Sequence, residues 1–587
     1  MLNFLKFKRG AFVPSVILVL ILTLSSFLRL YGINWDDNHH LHPDERFLTM
    51  VVDGLKWPKT FGEYLDPAKS PLNPYNAGYT FFVYGTFPLT LVKAASQIIT
   101  FDKFSYNNIT LVGRLISALF DLGIVFLVFK IGRLIFDEIT ALTASFIYAM
   151  SVLPIQLSHF FAVDTFLVFF LVLSFYFLAK IILKSKSTDR IYSRALFLSI
   201  GLGASFGLGI ASKITTVLFL PVIGLGLVPI FFRRRGFLTL VFCTLVFLLS
   251  SFILVRLSDP RIFKSASFFD PTPNPKFVSN LKELASSADP NSLFPPAVQW
   301  IKTKPIIFPL KNVILWGLGL PLGITSILAV FYSLGRTFLD LKKIIESRFK
   351  NLSSYFPNFI ILLVLLWILY LFIYQGTQFV KAMRYIFPIY PFLAILTANF
   401  IQRVIHKKVK NNLLLVTCYL LLVIYPLAFI FIYSRPHSRV TASRWIYKNI
   451  PEGSTISCEH WDDCLPLGLD GKSFDFYNYK IETLSLFAPD TPQKWQEANS
   501  QLKKIDYIIM SSNRLWGSIP KVPDKYPLTS KFYEDLFSER LNFKKVAEIT
   551  SYPTIPIFNI PLPDDSADES FTVYDHPKVL IYKKTNG

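Results

Sequence analysis

Long apolar runs separated by short polar stretches dominate the first three quarters of the chain. About eleven of these runs are long and apolar enough to cross a bilayer as helices. They lie near 11–31, 111–135, 139–158, 163–183, 195–211, 213–232, 237–256, 309–334, 357–376, 384–402 and 411–433. The pattern predicts a polytopic α-helical membrane protein. Its composition, with 52% hydrophobic and 17% charged residues, is typical of that class rather than of soluble domains.

Basic residues give the predicted helices a direction across the membrane. Every second connection between apolar runs is rich in Lys and Arg, and so is the N-terminus, with Lys6, Lys8 and Arg9. Cytoplasmic loops carry such an excess, so we expect the N-terminus and these connections to be cytoplasmic. The basic connections lie at 130–133, 184–194, 233–235, 336–348 and 403–410. Because the net charge of +21 is clustered in these loops, we expect membrane lipids and no nucleic acid as partners.

Two apolar segments allow a second interpretation. Segment 79–99 could cross the membrane, but an extra span would place every later basic loop outside, so we expect a helix along the membrane interface. The first external loop then runs from about 32 to 110, and a second long external loop covers about 257–308. Segment 11–31 could be a signal peptide, but it is long and no small-residue cleavage site follows. We therefore expect a retained helix.

The composition changes near residue 434, where the chain becomes polar and contains no further segment able to cross. Short apolar runs alternate there with amphipathic ones, which predicts an extracytoplasmic α/β domain at 434–587 after a membrane domain at 1–433. Predicted helices lie near 438–450, 492–504 and 529–540, and predicted strands near 455–458, 507–510, 543–551 and 571–583. Cys458 and Cys464 are expected to form a disulfide, and a metal site that uses both with His460 is the alternative.

The stretch 34–47 places acids and histidines directly after the first span, where ionisable groups are costly to keep near lipid. Asp44 is our choice of general base for transfer to a hydroxyl, although it could instead cap a helix that begins at Glu45. Asp164, at the outer end of the fourth span, is a second acid and could likewise be a helix cap. The catalytic candidates are Asp44, Glu45 and Asp164, with Asp36 and Asp37 as alternatives, and His42, Arg46 and His159 as further site candidates.

Cations at the outer face are further site candidates. They could hold an anionic leaving group, such as a phosphate, in a transfer reaction. Lys381 and Arg384 lie in the external turn between the ninth and tenth predicted spans, and Lys213 lies between the fifth and sixth. Arginine offers a bidentate fork for phosphate oxygens and lysine a point charge, while headgroup snorkelling is the structural alternative. The candidate donor-phosphate residues are Arg384, Lys381, Lys213 and Tyr385.

Four segments resemble, in order, the protein O-mannosyltransferase and aminoarabinose-transferase-like (PMT-type) branch of GT-C membrane glycosyltransferases. They are His42–Phe47, Gly113–Leu115, Pro154–Asp164 and Lys381–Tyr385. The resemblance covers about 1–433 and implies a GT-C-like fold, a lipid-linked donor and an inverting transfer. It also implies Asp44 as the base and Arg384 or Lys381 near the phosphate. The outer domain resembles C-terminal domains of some bacterial members.

The expected function is therefore an inverting glycosyltransferase of the cell envelope that uses a polyprenyl-phosphate-linked sugar. The acceptor would be a glycan, lipid or protein on the extracytoplasmic face of the plasma membrane. A transporter or flippase, or a polymerase or ligase of lipid-linked saccharides, is the alternative. No cofactor is assigned, and a divalent metal remains an open option.

Overall fold

The computed structural model describes residues 12–100, 104–184, 191–232, 236–290, 294–346, 356–406, 412–473 and 475–585. Within these residues ten helices are long and apolar enough to cross a membrane, or eleven if one bent pair counts as a single span. The predicted polytopic helical class is confirmed. Several predicted basic positions lie outside the described residues, among them Lys6, Lys8, Arg9, Arg190 and 233–235.

The helices of the membrane-embedded part follow the apolar runs closely. In chain order they are α1 Phe12–Leu30, α2 Pro43–Gly54, α3 Phe61–Leu65, α4 Phe87–Thr100, α5 Tyr106–Ile135, α6 Glu138–Ala149, α7 Val152–Ser158, α8 Asp164–Lys184, α9 Ile191–Ser212, α10 Leu220–Phe231, α11 Gly236–Ser258, α12 Pro275–Ser287, α13 Ile307–Asn312, α14 Leu320–Glu346, α15 Phe356–Thr377, α16 Tyr390–Phe400 and α17 Asn412–Ile430. A 3-10 turn over Met383–Ile389 leads into α16.

Three predicted segments are bent, shorter or shifted in the structure. The predicted span 139–158 is the bent pair α6 and α7, whose axes differ by 58°. The predicted interfacial segment 79–99 overlaps α4, whose 14 residues are not among the candidate spans of the described chain. The predicted span 309–334 is wrong at its start, because the chain breaks at Gly319, whose φ of +83° is the left-handed region, and the long helix α14 begins after it.

One buried ion pair ties the first spans together. Arg29 of α1 donates from Nε to Asp121 of α5 at 2.5 Å, and both side chains are fully buried. The Tyr148 hydroxyl donates to the same carboxylate, so three helices meet at one carboxyl group. An unpaired charge at such a depth would be strongly destabilising, whereas this arrangement satisfies both charges and fixes the helices relative to one another.

The outer domain carries helices α18 Ser438–Asn449, α19 Pro492–Lys504, α20 Pro527–Phe537 and α21 Glu569–Thr572. Its strands are β1 Thr455–Glu459, β2 Lys480–Leu484, β3 Tyr507–Met510, β4 Phe543–Ile549, β5 Thr554–Ile555, β6 Ile560–Pro561 and β7 Val579–Lys584. The main sheet has the order β2-β1-β3-β7-β4, with β1 parallel to β2 and β3, and β7 antiparallel to β3 and β4. The expected sheet-containing C-terminal region is confirmed.

Sequence patterns missed strand β2 and the two-residue strands β5 and β6, and misassigned part of β7. Strand β2 is polar and mostly exposed at the sheet edge, so it carries no apolar alternation. The predicted strand 571–583 is wrong in its first half, because β7 begins at Val579. The preceding residues 564–576, named here the docking segment, pack instead on the ends of the membrane helices.

Hydrogen bonds hold the docking segment on the membrane part. Asn312 Oδ1 accepts from the Asp568 N–H at 2.8 Å, and Asp568 Oδ2 accepts from the Met383 N–H at 2.9 Å. Gln156 of α7 donates to the Phe571 carbonyl at 2.7 Å. The segment therefore reaches the turn immediately before Arg384.

Candidate active site

The start of α2 determines where the predicted base points. The helix begins at Pro43, and its N-cap is His42, whose Nδ1 accepts from the Glu45 N–H at 3.3 Å. The alternative in which Asp44 caps a helix beginning at Glu45 is therefore wrong. A histidine in this role must be neutral at the accepting nitrogen. The carboxylate of the neighbouring Asp44 therefore does not cap the helix.

The His42 ring is buried in an aromatic setting formed from two distant segments. It lies 4.5 Å from the Phe160 ring and 4.2 Å from the ring of Tyr574, which belongs to the docking segment. Burial lowers the pKa of His42 to about 4, which keeps the imidazole neutral near pH 7. Tyr574 is thus part of the structure that positions α2.

A buried cluster, named here the Arg114 clamp, fixes the first turn of α2 on α5. Arg114 binds Glu45 through Nε at 2.9 Å and Nη2 at 2.5 Å, and binds both oxygens of Asp36 at 3.1 and 2.9 Å. Glu45 also accepts from the Phe161 N–H at 2.7 Å. The three side chains are fully buried. Glu45 was a predicted catalytic candidate, but its carboxylate lies in this clamp.

The adjacent carboxylate, Asp44, pairs with Arg384, which lies 340 positions further along the chain. Their side chains are 24% and 23% exposed, so the pair is open to solvent while the clamp is not. Burial alone would raise the pKa of Asp44, but Arg384, His42 and Lys213 together hold it below its ordinary value. Asp44 is therefore an accessible, ionised carboxylate.

A second ion pair lies beside the first. Lys213 Nζ is 2.7 Å from Asp164 Oδ1 at the start of α8. The Tyr385 ring is contacted from both pairs, with Lys213 Nζ at 5.3 Å and the Arg384 guanidinium at 5.6 Å from its centroid. The structure thus brings together five predicted residues, named here the central cluster: Asp44, Asp164, Lys213, Arg384 and Tyr385.

Tyr84 is a neighbour of this cluster that the sequence did not single out. Burial raises its pKa well above the usual value, and the nearby charge of Asp44 raises it further. Its segment contains Gly85, where an added Cβ would meet the Ala211 carbonyl at 1.9 Å. In the sequence, Gly85 was the only sign that another part of the backbone comes close to this turn, because a glycine has no side chain to prevent such contact.

Lys381 has a different environment from the other predicted cations. Its ammonium donates to Thr303 Oγ1 at 3.2 Å and to the Phe379 carbonyl at 3.0 Å, and the side chain is buried. In the described part of the chain no carboxylate forms an ion pair with it, and burial lowers the pKa of Lys381. The indole N–H of nearby Trp300 is also buried without a partner among the described residues. Both are donors that an anion could satisfy.

Two further predicted residues have structural partners. The ring nitrogens of His159 face the carbonyls of Ile155 at 2.8 Å and Tyr31 at 3.0 Å, and the ring stacks on Tyr433. Arg46 points outward, where Nη1 is 3.3 Å from Asp463 of the outer domain. His159 therefore lies in a packing position, and Arg46 at an interface.

Cys458 and Cys464 form a disulfide with a Cα separation of 5.1 Å. Their sulfurs are therefore not available to join His460 around a metal ion. Among the residues that the structure describes, no group of three or more His, Cys, Asp and Glu side chains is arranged to hold a metal.

The central cluster has the parts that a group transfer at the membrane surface needs. Asp44 can accept a proton from a hydroxyl, and the cations beside it can hold an anionic leaving group. All of these side chains lie at or near the ends of helices, and those of Asp164, Arg384 and Tyr385 lie within the first three residues of candidate spans.

Comparison with known proteins gives one local family match. Residues 104–257 match the dolichyl-phosphate-mannose-protein mannosyltransferase family. This stretch contains Arg114, Asp164 and Lys213. No curated protein sequence matches the chain.

Solved structures extend the likeness over most of the chain. The archaeal oligosaccharyltransferase AglB from Archaeoglobus fulgidus, in complex with an inhibitory peptide and a dolichol-phosphate, superposes with a TM-score of 0.54 at 14% identity. The match covers 88% of this chain and 72% of AglB. ArnT from Cupriavidus metallidurans bound to undecaprenyl phosphate covers 86% of this chain and 94% of its own, at 13% identity and a TM-score of 0.42.

The chain therefore has the GT-C fold, as predicted, with a PMT-type segment at 104–257. The matched family and AglB are glycosyltransferases, which agrees with the predicted enzyme class.

Proposed function

We propose that this chain transfers a sugar from a polyprenyl-phosphate donor to an acceptor hydroxyl at the extracytoplasmic face. The observation that carries the proposal is the solvent-accessible Asp44–Arg384 pair. It joins the first external loop to the turn before α16 and lies next to Lys213 and Tyr385. A base and a phosphate-binding cation are thereby adjacent, as the transfer requires.

The donor phosphate would be held by Lys381, Arg384 and Lys213, with Tyr385 between the last two. Lys381 supports this assignment most directly, because it is a buried cation whose described partners are neutral oxygens. Burying an unpaired charge is costly, and a bound phosphate would relieve that cost. The dolichol-phosphate and undecaprenyl phosphate named with the two similar structures have the same headgroup chemistry.

In the transfer, the acceptor oxygen attacks the anomeric carbon from the face opposite the phosphate. The carbon–oxygen bond to the phosphate breaks, the phosphate keeps the electron pair, and Asp44 takes the hydroxyl proton. The configuration at that carbon is inverted. Asp164 keeps Lys213 in place through their 2.7 Å contact.

Donor binding would also prepare the base. In the free protein Arg384 holds the pKa of Asp44 down, which makes the carboxylate a weak base. A phosphate that draws the Arg384 guanidinium toward itself weakens that pairing, and the pKa of Asp44 rises toward the range in which it accepts a proton more readily. In the free protein, Asp44 and Arg384 therefore neutralise each other until the donor binds.

We place the N-terminus in the cytoplasm and the central cluster and outer domain on the extracytoplasmic side of a plasma membrane. The alternation of basic connections supports this orientation. The disulfide in the outer domain supports it as well, since disulfides persist in oxidising compartments.

The direct test is transfer by Asp44→Asn with a labelled polyprenyl-phosphate sugar supplied to purified protein. Loss of a general base typically lowers the rate by about 10²–10⁴. Thermal stability and binding of polyprenyl phosphate should persist, because His42 rather than Asp44 caps α2. Asp53→Asn, an exposed acid on the same helix, is the matched control. Wild-type transfer by Asp44→Asn would contradict the assignment of the base.

A further inference from the structure

A cavity of about 280 Å³ opens between the outer domain and the start of α2, and is named here the outer cavity. Pro43 and Arg46 line it from α2, and Tyr574 from the docking segment. Trp461, Asp463 and Arg514 are among the residues that line it from the outer domain. Lys381 does not line the outer cavity, whereas Pro43, the residue before Asp44, does.

The outer cavity lies where an α/β sheet usually binds ligands. Strands β1 and β3 are parallel neighbours, and the loops that follow their carboxyl ends supply Trp461 to Asp463 and Arg514. In open α/β sheets, ligands bind in the crevice outside the carboxyl ends of the strands. Asp462, at the same edge, accepts from the Ser512 hydroxyl, so the two loops are joined.

The loop after β1 is held in an unusual shape. Cys458 and Cys464 close it, and Arg439 clamps its two acids, with Asp462 and Asp463 each at 2.7 Å. Trp461 has a φ of +83°, a strained conformation for a residue with a large side chain. Such strain persists where the surroundings enforce it and marks functional sites. Here it presents an indole that is 42% exposed.

The charges around the outer cavity are balanced. Arg439 pairs with both acids of the loop, Arg514 Nε is 2.8 Å from Glu569, and Arg46 is 3.3 Å from Asp463. Each guanidinium therefore already has a carboxylate, unlike Lys381. A phosphate or carboxylate ligand would meet these acids, whereas a hydroxyl can donate to a carboxylate and accept from a guanidinium at once.

We propose that the outer cavity is the acceptor subsite of the transferase proposed above and takes an uncharged saccharide unit. Trp461 offers a flat apolar face for the C–H side of a sugar ring, and Asp463, Arg46 and Arg514 offer partners for its hydroxyls. Pro43, the chain neighbour of Asp44, lines the cavity, and so does Tyr574, which packs on His42. A sugar seated there would present a hydroxyl toward the base.

The test measures binding without any donor, so it does not depend on transfer. Full-length protein in lipid nanodiscs is applied to an array of neutral oligosaccharides, anionic oligosaccharides and unglycosylated peptides. We expect binding to a subset of neutral oligosaccharides, weakened about tenfold or more by Trp461→Ala and by Arg46→Gln. Phe476→Ala removes another exposed aromatic ring of the same domain, which is 65% exposed and outside the outer cavity, and this variant should bind as wild type.

The possible outcomes separate this proposal from the proposed function. Binding of neutral oligosaccharides that responds to both cavity variants supports it, whether or not Asp44→Asn abolishes transfer. Binding only to anionic oligosaccharides or peptides overturns it, and so does binding that neither variant changes. Arg46 is half exposed at its interface, so Arg46→Gln keeps the test decisive if Trp461→Ala fails to fold.

Discussion

Asp44 and Glu45 are neighbours on one helix, and each carboxylate pairs with an arginine from another part of the chain. The Glu45–Arg114 contact is completely buried, whereas the Asp44–Arg384 contact keeps about a quarter of each side chain exposed, 24% and 23%. Breaking a buried pair leaves a buried charge without a partner, which is strongly destabilising. An intact buried pair therefore holds the structure around it in place. An accessible pair can exchange its partner for a substrate. The same kind of ion pair therefore holds the structure together in one case and, in the proposed function, takes part in the transfer in the other.

The largest expected effect comes from removing the arginine of the buried clamp. Arg114→Ala leaves Asp36 and Glu45 buried without a cation, and should destabilise the fold by about 3–5 kcal/mol. Thermal unfolding of purified protein, followed by intrinsic fluorescence, measures the change. Transfer should be lost with the fold rather than independently of it.

The control for this variant lies on the same helix. Arg133 pairs with Glu138 at 3.6 Å and is 54% exposed, so Arg133→Ala should change stability by less than about 1 kcal/mol. If Arg114→Ala unfolded at the wild-type temperature, the clamp would not be what positions α2. The structural role assigned to the Glu45–Arg114 pair would then be refuted.

Lys381 offers a smaller but sharper effect, because it is a buried cation without a carboxylate partner in the described chain. Lys381→Met should raise the unfolding temperature by a few degrees, since the cost of burying the charge disappears. Binding of polyprenyl phosphate should weaken by about tenfold or more. A thermal scan and a lipid-binding titration on the same preparation measure both changes.

Lys302→Met is the matched control, because Lys302 lies in a nearby loop and is more than half exposed beside Asp524. It should change neither quantity. Unchanged lipid binding by Lys381→Met, together with a normal fold, would remove Lys381 from the donor site and leave Arg384 and Lys213 as the cations to consider.

The smallest effect concerns the docking segment and appears only as a pH dependence. Burial alone would lower the pKa of His576, but the carboxylates of Asp575 and Asp564 raise it to about 10. The folded value lies above the ordinary one of 6.5, so the contribution to stability is complete below about pH 6.5. It is lost as the pH rises toward 10. The unfolding temperature should therefore fall across that range in the wild type and less steeply in His576→Gln, and equal slopes would refute this ion network.

Much of the membrane architecture could be predicted, because apolar length and the placement of basic residues are local properties of the sequence. Asp44, Asp164, Lys213 and Arg384 were also identifiable, since an ionisable side chain at the outer end of a span is expensive and therefore conspicuous. That these residues meet in one cluster followed from no local pattern, because Asp44 and Arg384 are 340 positions apart.

The remaining features depend on contacts between distant segments. Glu45 and Asp44 look alike in the sequence, and only the position of Arg114 on α5 separates their roles. Residues 571–574 have high strand propensity, which favoured a strand from 571 onward, yet tertiary contacts with Gln156 and Tyr433 hold that stretch away from the sheet. His42 became the helix cap because Pro43 can begin a helix without its N–H.

The docking segment has a consequence for how the protein is made. Tyr574 packs on His42, and Asp575 accepts from Gln156 and Tyr433, so the docking segment supports residues that precede it by more than 500 positions in the chain. A chain whose docking segment has not yet folded onto the membrane helices therefore lacks this support for α2. Docking of residues 564–576 thus acts as a late assembly step for the start of α2, and a variant without these residues would keep its membrane helices but lose that support.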